Sequence, residues 1–288
     1  MRRSILITGA STGIGRASAL RLAGAGHTVF AGVRREADGQ SLQAAAANIT
    51  PVMLDVTDGN QISAMAELVS RATRQRLDGL VNNAGIGVSG PLECIPVDML
   101  RQQFEVNVFG QVAVTQAVLP LLRAAQGRIV NIGSIGDRIT IPFGGSLCAS
   151  KYAILSINDA LRQELAPWRI EVILVEPASI RSRAGEKLEK DAKRVLEVIG
   201  ARGRELYGVA YANMVAASVR REFGGSDPDV VARVVQHALT ARRPRTRYLV
   251  GKDSRLLATA ARMLPDRALD ALRLRVLGIS LRDAQERV

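Results

Sequence analysis

Short apolar runs alternate with stretches of helical spacing along roughly the first 180 residues, and that alternation predicts most of the architecture. Residues 4–8 read as a strand, 13–25 as a helix and 27–33 as a second strand. A third strand is expected over 50–54, a helix over 58–74, a fourth strand over 78–83 and a long helical region over 97–122. Arg128–Ile132 makes a fifth strand, 146–166 a helix and 169–175 a sixth strand. Runs this continuously apolar fit strands covered on both faces. Strands alternating with helices argue for βαβ units. The expected fold class is α/β: a doubly wound parallel sheet of about seven strands with helices on both faces.

After Ser182 the pattern changes. Residues 182–223 are helical, charged and only loosely amphipathic, and GGSDP breaks them. A further helix is expected over 227–240, with Ser226 as its N-cap and Pro228 near its first position. Arg247–Val250 reads as a seventh strand, and 254–288 as two short helices separated by Leu264-Pro265-Asp266. With no low-complexity linker and no repeat, the chain reads as one domain over 1–250 with a helical C-terminal extension over 251–288. Residues 182–225 form a segment expected to cover a substrate.

Composition narrows the class. The 288 residues are 47% hydrophobic and only 3% aromatic, which suits Val/Ile/Leu strands under Ala/Leu helices and allows a large core. No apolar run approaches the roughly 20 residues of a bilayer span. The start, MRRSILITGAS, runs directly into a strand rather than a signal peptide. The expectation is a soluble, cytoplasmic protein without a transmembrane segment. Cys94 and Cys148 lack metal or redox spacing and read as free thiols; His27 and His237 read as structural, and no metal site is expected. The net charge of +12 is concentrated late: from residue 241 onward, twelve Lys/Arg stand against five Asp/Glu. These charges are interspersed with Leu, Ala and Asp and lack aromatic partners. A solvated helical face therefore ranks ahead of an anionic ligand, and nucleic acid comes a distant third.

The first strand leads into TGASTGIG, residues 8–15. Gly9, Gly13 and Gly15 permit a tight turn and close approach of a pyrophosphate to backbone, and the following helix points its N-terminus at that charge. A glycine loop alone is also what a plain turn looks like. Here it follows a strand and opens a helix, which favours dinucleotide binding. The second strand ends Ala31-Gly32-Val33-Arg34-Arg35, with no acid until Glu36. NAD sites place an acid there for the ribose 2′-hydroxyl. Arg34 and Arg35, with Arg16 nearby, suit a 2′-phosphate instead, so the expected cofactor is NADP(H).

With these features the chain resembles the classical short-chain dehydrogenase/reductase family. The resemblance is carried by TGASTGIG, by Asp55-Val56 in LDVTD, by Asn82-Asn83-Ala84-Gly85, by Asn107 in FEVNVFG, by Ser134 in IVNIGSIG and by Ala149-Ser150-Lys151. It is strong over residues 4–182 and weak beyond. It implies a Rossmann-type fold in which Gly9, Ser11, Thr12, Gly13, Ile14 and Gly15 cradle the phosphates. It further implies that Asp55 and Val56 contact adenine and that Asn83, Ala84 and Gly85 line the cleft. Lys151 then holds the nicotinamide ribose, with Pro177, Ala178, Ile180 and Ser182 beside the nicotinamide. Ala178 stands where the family usually has glycine, and Ser182 where threonine is common.

The implied catalytic residues are Asn107, Ser134 and Lys151, together with position 147. There the family has a tyrosine, four residues before the lysine, that protonates the substrate oxygen. This chain has Leu147, which neither donates nor accepts a proton. Tyr152 lies about 140° round the helix from that position. Ser146 and Cys148 flank it and point sideways, Ser134 alone is a poor acid, and Tyr207 and Tyr211 fit amphipathic packing. The expected activity is NADPH-dependent hydride transfer to a hydrophobic carbonyl or imine. A non-redox or catalytically impaired NADPH-binding protein (a sensor, isomerase or cyclase) stays open. Family likeness implies a homodimer or homotetramer built on residues 97–122 and 146–166. The Leu/Arg-rich tail from Arg255 suits a cover for the substrate mouth, a dimer contact or a membrane surface.

Overall fold

The computed structural model describes residues 2–181 and 184–280, apart from the side chains of 184–187. Seven parallel strands form one sheet: β1 (Ser4–Ile7), β2 (Thr28–Val33), β3 (Ile49–Met53), β4 (Gly79–Asn82), β5 (Arg128–Ile132), β6 (Glu171–Pro177) and β7 (Arg247–Val250), in the order β3-β2-β1-β4-β5-β6-β7. The order reverses between β1 and β4, which opens a crevice at the carboxyl ends of the strands, where ligands of such sheets bind.

Alternate side chains of each strand face opposite layers. Ile5, Ile7, Val81 and Val130 point to one side, where α1 (Gly13–Gly24), α2 (Glu36–Ala45) and α9 (Pro228–Thr240) close the core through Leu22, Leu42, Val231 and Val235. Leu6, Leu80, Ile129 and Val172 point to the other side, under α3 (Gly59–Ala72) and α5 (Gly110–Ala125). Beside α5 lies α6 (Gly145–Glu164), whose Ile154 meets Leu174 of β6 and Val108. A third cluster lies outside the sheet, where α7 (Ala184–Val198) and α8 (Gly200–Phe223) pack on the loop after β4. The chain then adds α10 (Ser254–Met263) and α11 (Asp266–Leu277), the latter closing that cluster through Leu277.

Several expectations change on contact with the structure. α2 has no counterpart in the sequence reading, because in EADGQSLQAA only Gly39 and Leu42 are buried and no apolar period is visible. The region expected as one helix over 97–122 is α4 (Val97–Phe104), a π-helical turn (Glu105–Phe109) and α5. Taken together, Val97–Ala125 is long and apolar enough to cross a bilayer by length and composition. It nevertheless buries Val114, Val118, Leu121 and Leu122 in the core. The expected helix over 182–223 breaks into α7 and α8. Ser226 does not cap α9: Asp227 does, accepting the Asp229 N–H, while Ser226 Oγ accepts the Lys252 N–H at 3.0 Å.

Candidate active site

The loop from β1 to α1 is shaped for close approach. Gly9 has a φ of +63°, and a side chain there would begin 2.8 Å from Ala84 Cα. A Cβ on Gly15 would lie 2.3 Å from the Gly9 carbonyl oxygen. Glycine is the residue that fits both places. Thr8 Oγ1 accepts the N–H groups of Asn83 and Ala84 at 3.0 and 2.9 Å, and Asn83 Nδ2 donates to the carbonyls of Thr8 and Gly9. The loop is thereby fixed to the end of β4. Helix α1 begins at Thr12 without a side-chain cap and without an acid in its first turn. Amides beside Ser11, Thr12, Gly13 and Ile14 thus keep capacity for an anion, and the residues fit the diphosphate of a dinucleotide.

At the adenine end, Asp55 accepts from Thr57 N–H and Oγ1 at 3.0 and 2.7 Å. Burial alone would raise the Asp55 pKa, but these bonds and the charge of Arg34 together bring it below the ordinary value. Val56 packs so tightly on Gly110 that a Cβ there would lie 2.7 Å from Val56 Cγ2. The expected pair of phosphate-reading arginines is not equivalent. Arg35 forks onto Asp38 at 2.8 and 2.9 Å, so Arg34 is the less committed guanidinium. Arg16 reaches Ser41 Oγ at 3.3 Å.

The reaction end gathers on the tops of β4, β5 and β6 and the start of α6. Asn107 sits in the π-helical turn, an insertion often found at functional sites. Its Oδ1 accepts the Ile86 N–H at 2.8 Å, and its Nδ2 donates to the Ile86 carbonyl and to Ser150 Oγ at 3.0 and 3.1 Å. The side chain thus pins the backbone just after Asn83-Ala84-Gly85. Ser150 Oγ donates in turn to the Leu147 carbonyl at 2.7 Å. Lys151 Nζ donates to the Ile132 carbonyl at 2.9 Å. Burial pulls its pKa down to about 8 against the opposing charge of Asp137. Ser134 is extended and opens a 3-10 turn, its Oγ accepting the Gly136 N–H at 3.0 Å. Its hydroxyl proton is left free to donate. Leu147, half-buried, lies 3.8 Å from where a side chain on Gly87 would begin.

The side chains weighed as stand-ins for a tyrosine are engaged elsewhere. Ser146 Oγ donates to the Val88 carbonyl at 2.6 Å, and Cys148 Sγ meets the Ile139 carbonyl at 3.7 Å. Tyr207 donates to the Glu93 carboxylate. Fully buried Tyr211 shares a hydrogen bond with Ser89 at 2.9 Å, and Tyr152 is exposed. His27 accepts the Arg3 N–H, and His237 stacks edge-on with Tyr248. Pro177 ends β6 and Ala178 follows it, its N–H donating to the Val250 carbonyl at 2.9 Å. The Ile180 side chain packs in the core against Gly251, and its backbone bridges to Ser226. Ser182 lies outside the described residues. Among the described residues no group of three or more His, Cys, Asp or Glu is placed to hold a metal.

Two acids were missed by the sequence reading. Asp137 and Glu176 are 1% and 0% exposed, and Arg138 forks onto Glu176 at 2.6 and 3.1 Å. The available signal was charge out of place: GDR inside an apolar stretch and a glutamate inside LVEPA. Loops 91–93 and 140–145 with α8 and α11 line an open cleft of about 570 Å³. Leu92, Ile141, Phe143, Tyr207, Arg273 and Leu274 line it.

A parallel sheet with its crossover at the glycine loop, an uncapped α1 and Ser134, Leu147 and Lys151 beside the crevice define a dinucleotide-binding α/β protein with a reaction site. Residues 3–193 match the short chain dehydrogenase family, and the chain belongs to that family of oxidoreductases. It is 37% identical over 276 residues to mouse (Mus musculus) retinol dehydrogenase 5, covering 93% of this chain and 86% of that protein. It is 32% identical over 277 residues to an NADPH-dependent 3-dehydrocapnine reductase of Ornithobacterium rhinotracheale, covering 94% and 95%. In structure it is similar to a short chain dehydrogenase from Burkholderia cenocepacia J2315 in complex with NADP, with a TM-score of 0.71 and 27% identity, covering 96% of this chain and 98% of that one.

Proposed function

We propose that the protein is an NADP(H)-dependent reductase that transfers hydride to a hydrophobic small molecule without a tyrosine proton donor. The observation that carries this reading is Leu147, four residues before Lys151, in a site that otherwise holds Asn107, Ser134 and Lys151. The uncapped α1 and the exposed Arg34 support NADP(H), as do the NADPH-dependent relative and the NADP-bound structural neighbour. The cleft is lined mainly by apolar side chains, Leu92, Ile141, Phe143 and Leu274, with Glu93, Asp270 and Arg273 among them, which supports a largely hydrophobic substrate with a polar end.

The bound cofactor supplies the hydride. Lys151, whose Nζ already donates to the Ile132 carbonyl, would hold the nicotinamide ribose of the cofactor with its remaining donors. Ser134 would hydrogen-bond a heteroatom of the substrate, accepting from the N–H of an iminium, and so orient the reacting double bond without transferring a proton. Leu147 presents an apolar side chain where the family has a phenol. A carbonyl gains negative charge on oxygen as hydride arrives and needs an acid, which leucine cannot be. In an iminium ion the carbon takes the hydride and the π electrons become the nitrogen lone pair, giving a neutral amine with no proton to supply. This site therefore suits an iminium ion, including an imine already protonated in solution, better than a ketone. Exposed Phe109 and Tyr152, on the helices expected to assemble, support a homodimer or homotetramer.

The test is NADPH oxidation against matched hydrophobic ketones and cyclic imines, with Leu147→Tyr alongside. Turnover of imines by the parent, with ketone activity gained by the variant, supports the reading. Silence of the parent on both classes, with ketone reduction by the variant, means the chain has lost or set aside its redox role and favours a sensor or non-redox function.

A further inference from the structure

The buried acids under the reaction floor have no part in the proposed hydride transfer, yet their placement is specific. Asp137 ends the 3-10 turn begun by Ser134, and one carboxylate oxygen faces the Ser134 N–H at 3.4 Å. Its space depends on Gly133, where a Cβ would lie 2.8 Å from that oxygen. The other oxygen, Oδ1, is buried with no hydrogen-bond partner and stands 4.0 Å from Arg138 Nε. Glu176 reaches the same place from β6, one residue before Pro177-Ala178. Two buried carboxyl groups therefore share one guanidinium. Ionised together, they leave a negative charge inside the protein, a state that burial makes costly.

We propose that Asp137 and Glu176, bridged by Arg138, form a one-proton site beneath Ser134 and Lys151 whose protonation selects between the oxidised and reduced forms of the nicotinamide cofactor. This inference rests on the cofactor reading above. Burial first, and then the neighbouring Glu176, push Asp137 up to about 7, so the proton comes and goes near neutrality. Among the described residues the other charged and titratable groups lie on the elements packed round this turn, including α10, which carries Arg255 and Arg262. Lys151, Cys148 and Tyr152 face Asp137 from α6, and Arg138 faces it from its own turn. Arg273 of α11 adds positive charge near Cys148 and Tyr152.

The selection follows from charge. An oxidised nicotinamide ring is positive and a reduced one is neutral. With its proton, the Asp137–Glu176–Arg138 group is neutral and Lys151 is the excess charge, which disfavours the positive ring. Without the proton the group is negative, offsets Lys151 and favours it. Linkage requires the converse, so binding the oxidised form releases a proton and binding the reduced form does not.

The experiment measures dissociation constants of NADP+ and NADPH by calorimetry from pH 6 to 8.5. Parallel titrations in buffers of different ionisation enthalpy count the protons released. In the parent, the ratio of the NADP+ to the NADPH constant should fall at least about fivefold as pH rises. Asp137→Asn keeps the shape of a neutral carboxyl and should flatten the ratio and abolish proton release below about pH 7.5, above which Lys151 itself titrates. If that variant does not fold, Glu176→Gln removes the other half of the pair with the same expected flattening. A structural role would weaken both nucleotides together and leave the ratio sloping. A pH-independent ratio in the parent, or an equal slope in a folded variant, overturns the proposal alone. Failure of the parent to bind either nucleotide overturns it together with the cofactor reading.

Discussion

Leu147 faces Gly87 across the site, its Cδ2 3.8 Å from the point where a side chain on that glycine would begin, and, chain neighbours aside, no other described residue comes within 4 Å of that point. The glycine leaves room in front of position 147, so a larger side chain there has space to extend toward the crevice. The backbone of position 147 is held by Ser150, which is in turn held by Asn107. Leu147→Tyr therefore places a phenol without moving its support, and Lys151 stands one helical turn away. Ketone reduction should rise by about 10²–10⁴-fold, the usual worth of a general acid. Steady-state rates on ketone and imine pairs measure this, and imine turnover should not rise with it. An equal gain on both classes would indicate better substrate binding rather than a new acid.

Gly15 tests the cofactor cradle. A methyl group there would lie 2.3 Å from the Gly9 carbonyl and 2.5 Å from Asn83 Nδ2, both fixed by hydrogen bonds. Overpacking of this kind costs about 1–3 kcal/mol. Gly15→Ala should lower the melting temperature by several degrees and weaken NADPH by about tenfold or more. Gly24→Ala, in the same helix with open space around the glycine, is the control that should do neither. Thermal melts with and without NADPH separate the two effects.

Asp137 also makes stability depend on pH, and the sign is fixed by its direction. The folded protein holds this proton to about pH 7, whereas the unfolded chain loses it near 3.9. Between those values the folded state binds more protons, so this residue's contribution to stability falls as pH rises. Lys151 acts higher up. Its folded pKa of about 8 lies below the unfolded value, so from there to about 10.4 stability gains as pH rises. Denaturation midpoints at pH 5 and 7.5 should converge in Asp137→Asn compared with the parent. A parent midpoint that rises across this window by an amount unchanged in the variant would exclude the assignment.

What the sequence showed and what it hid follow one physical line. Strands such as SILI and the VILV of β6 are legible because both faces are buried and the run is almost wholly apolar. TGASTGIG is legible because close backbone approach demands glycine whatever surrounds it. α2 is not, because one face rests on β3 with little more than Leu42 and Gly39. Ser226 and Asp227 both satisfy the rule for a cap, and only tertiary contact decides between them, since Ser226 is taken by Lys252. The site divides in the same way. Asn107, Ser134 and Lys151 announce themselves by spacing, whereas the Asp137–Glu176 pair joins residues 39 positions apart in sequence on neighbouring turns and strands. A lone glutamate in a strand signals that a partner exists without saying which.

The same logic separates the two arginines after β2. The sequence gives them equal standing, but Arg35 is held by Asp38 through both ends of its guanidinium, while Arg34 acts on Asp55 only through charge. A 2′-phosphate would draw chiefly on Arg34, because Arg35 must first give up Asp38. A phosphate contact from a guanidinium is worth about 1.5–3 kcal/mol before screening at an exposed site. Arg34→Ala should therefore weaken NADPH by about tenfold and leave NADH nearly unchanged. Arg35→Ala should cost less, and Asp38→Asn should strengthen NADPH by releasing Arg35. Dissociation constants for both nucleotides at low and high salt measure this, because the phosphate-dependent part shrinks with salt. If Arg35→Ala proved the more damaging substitution, its bond to Asp38 would be the positioning contact that aims it, and Asp38→Asn would then weaken NADPH instead.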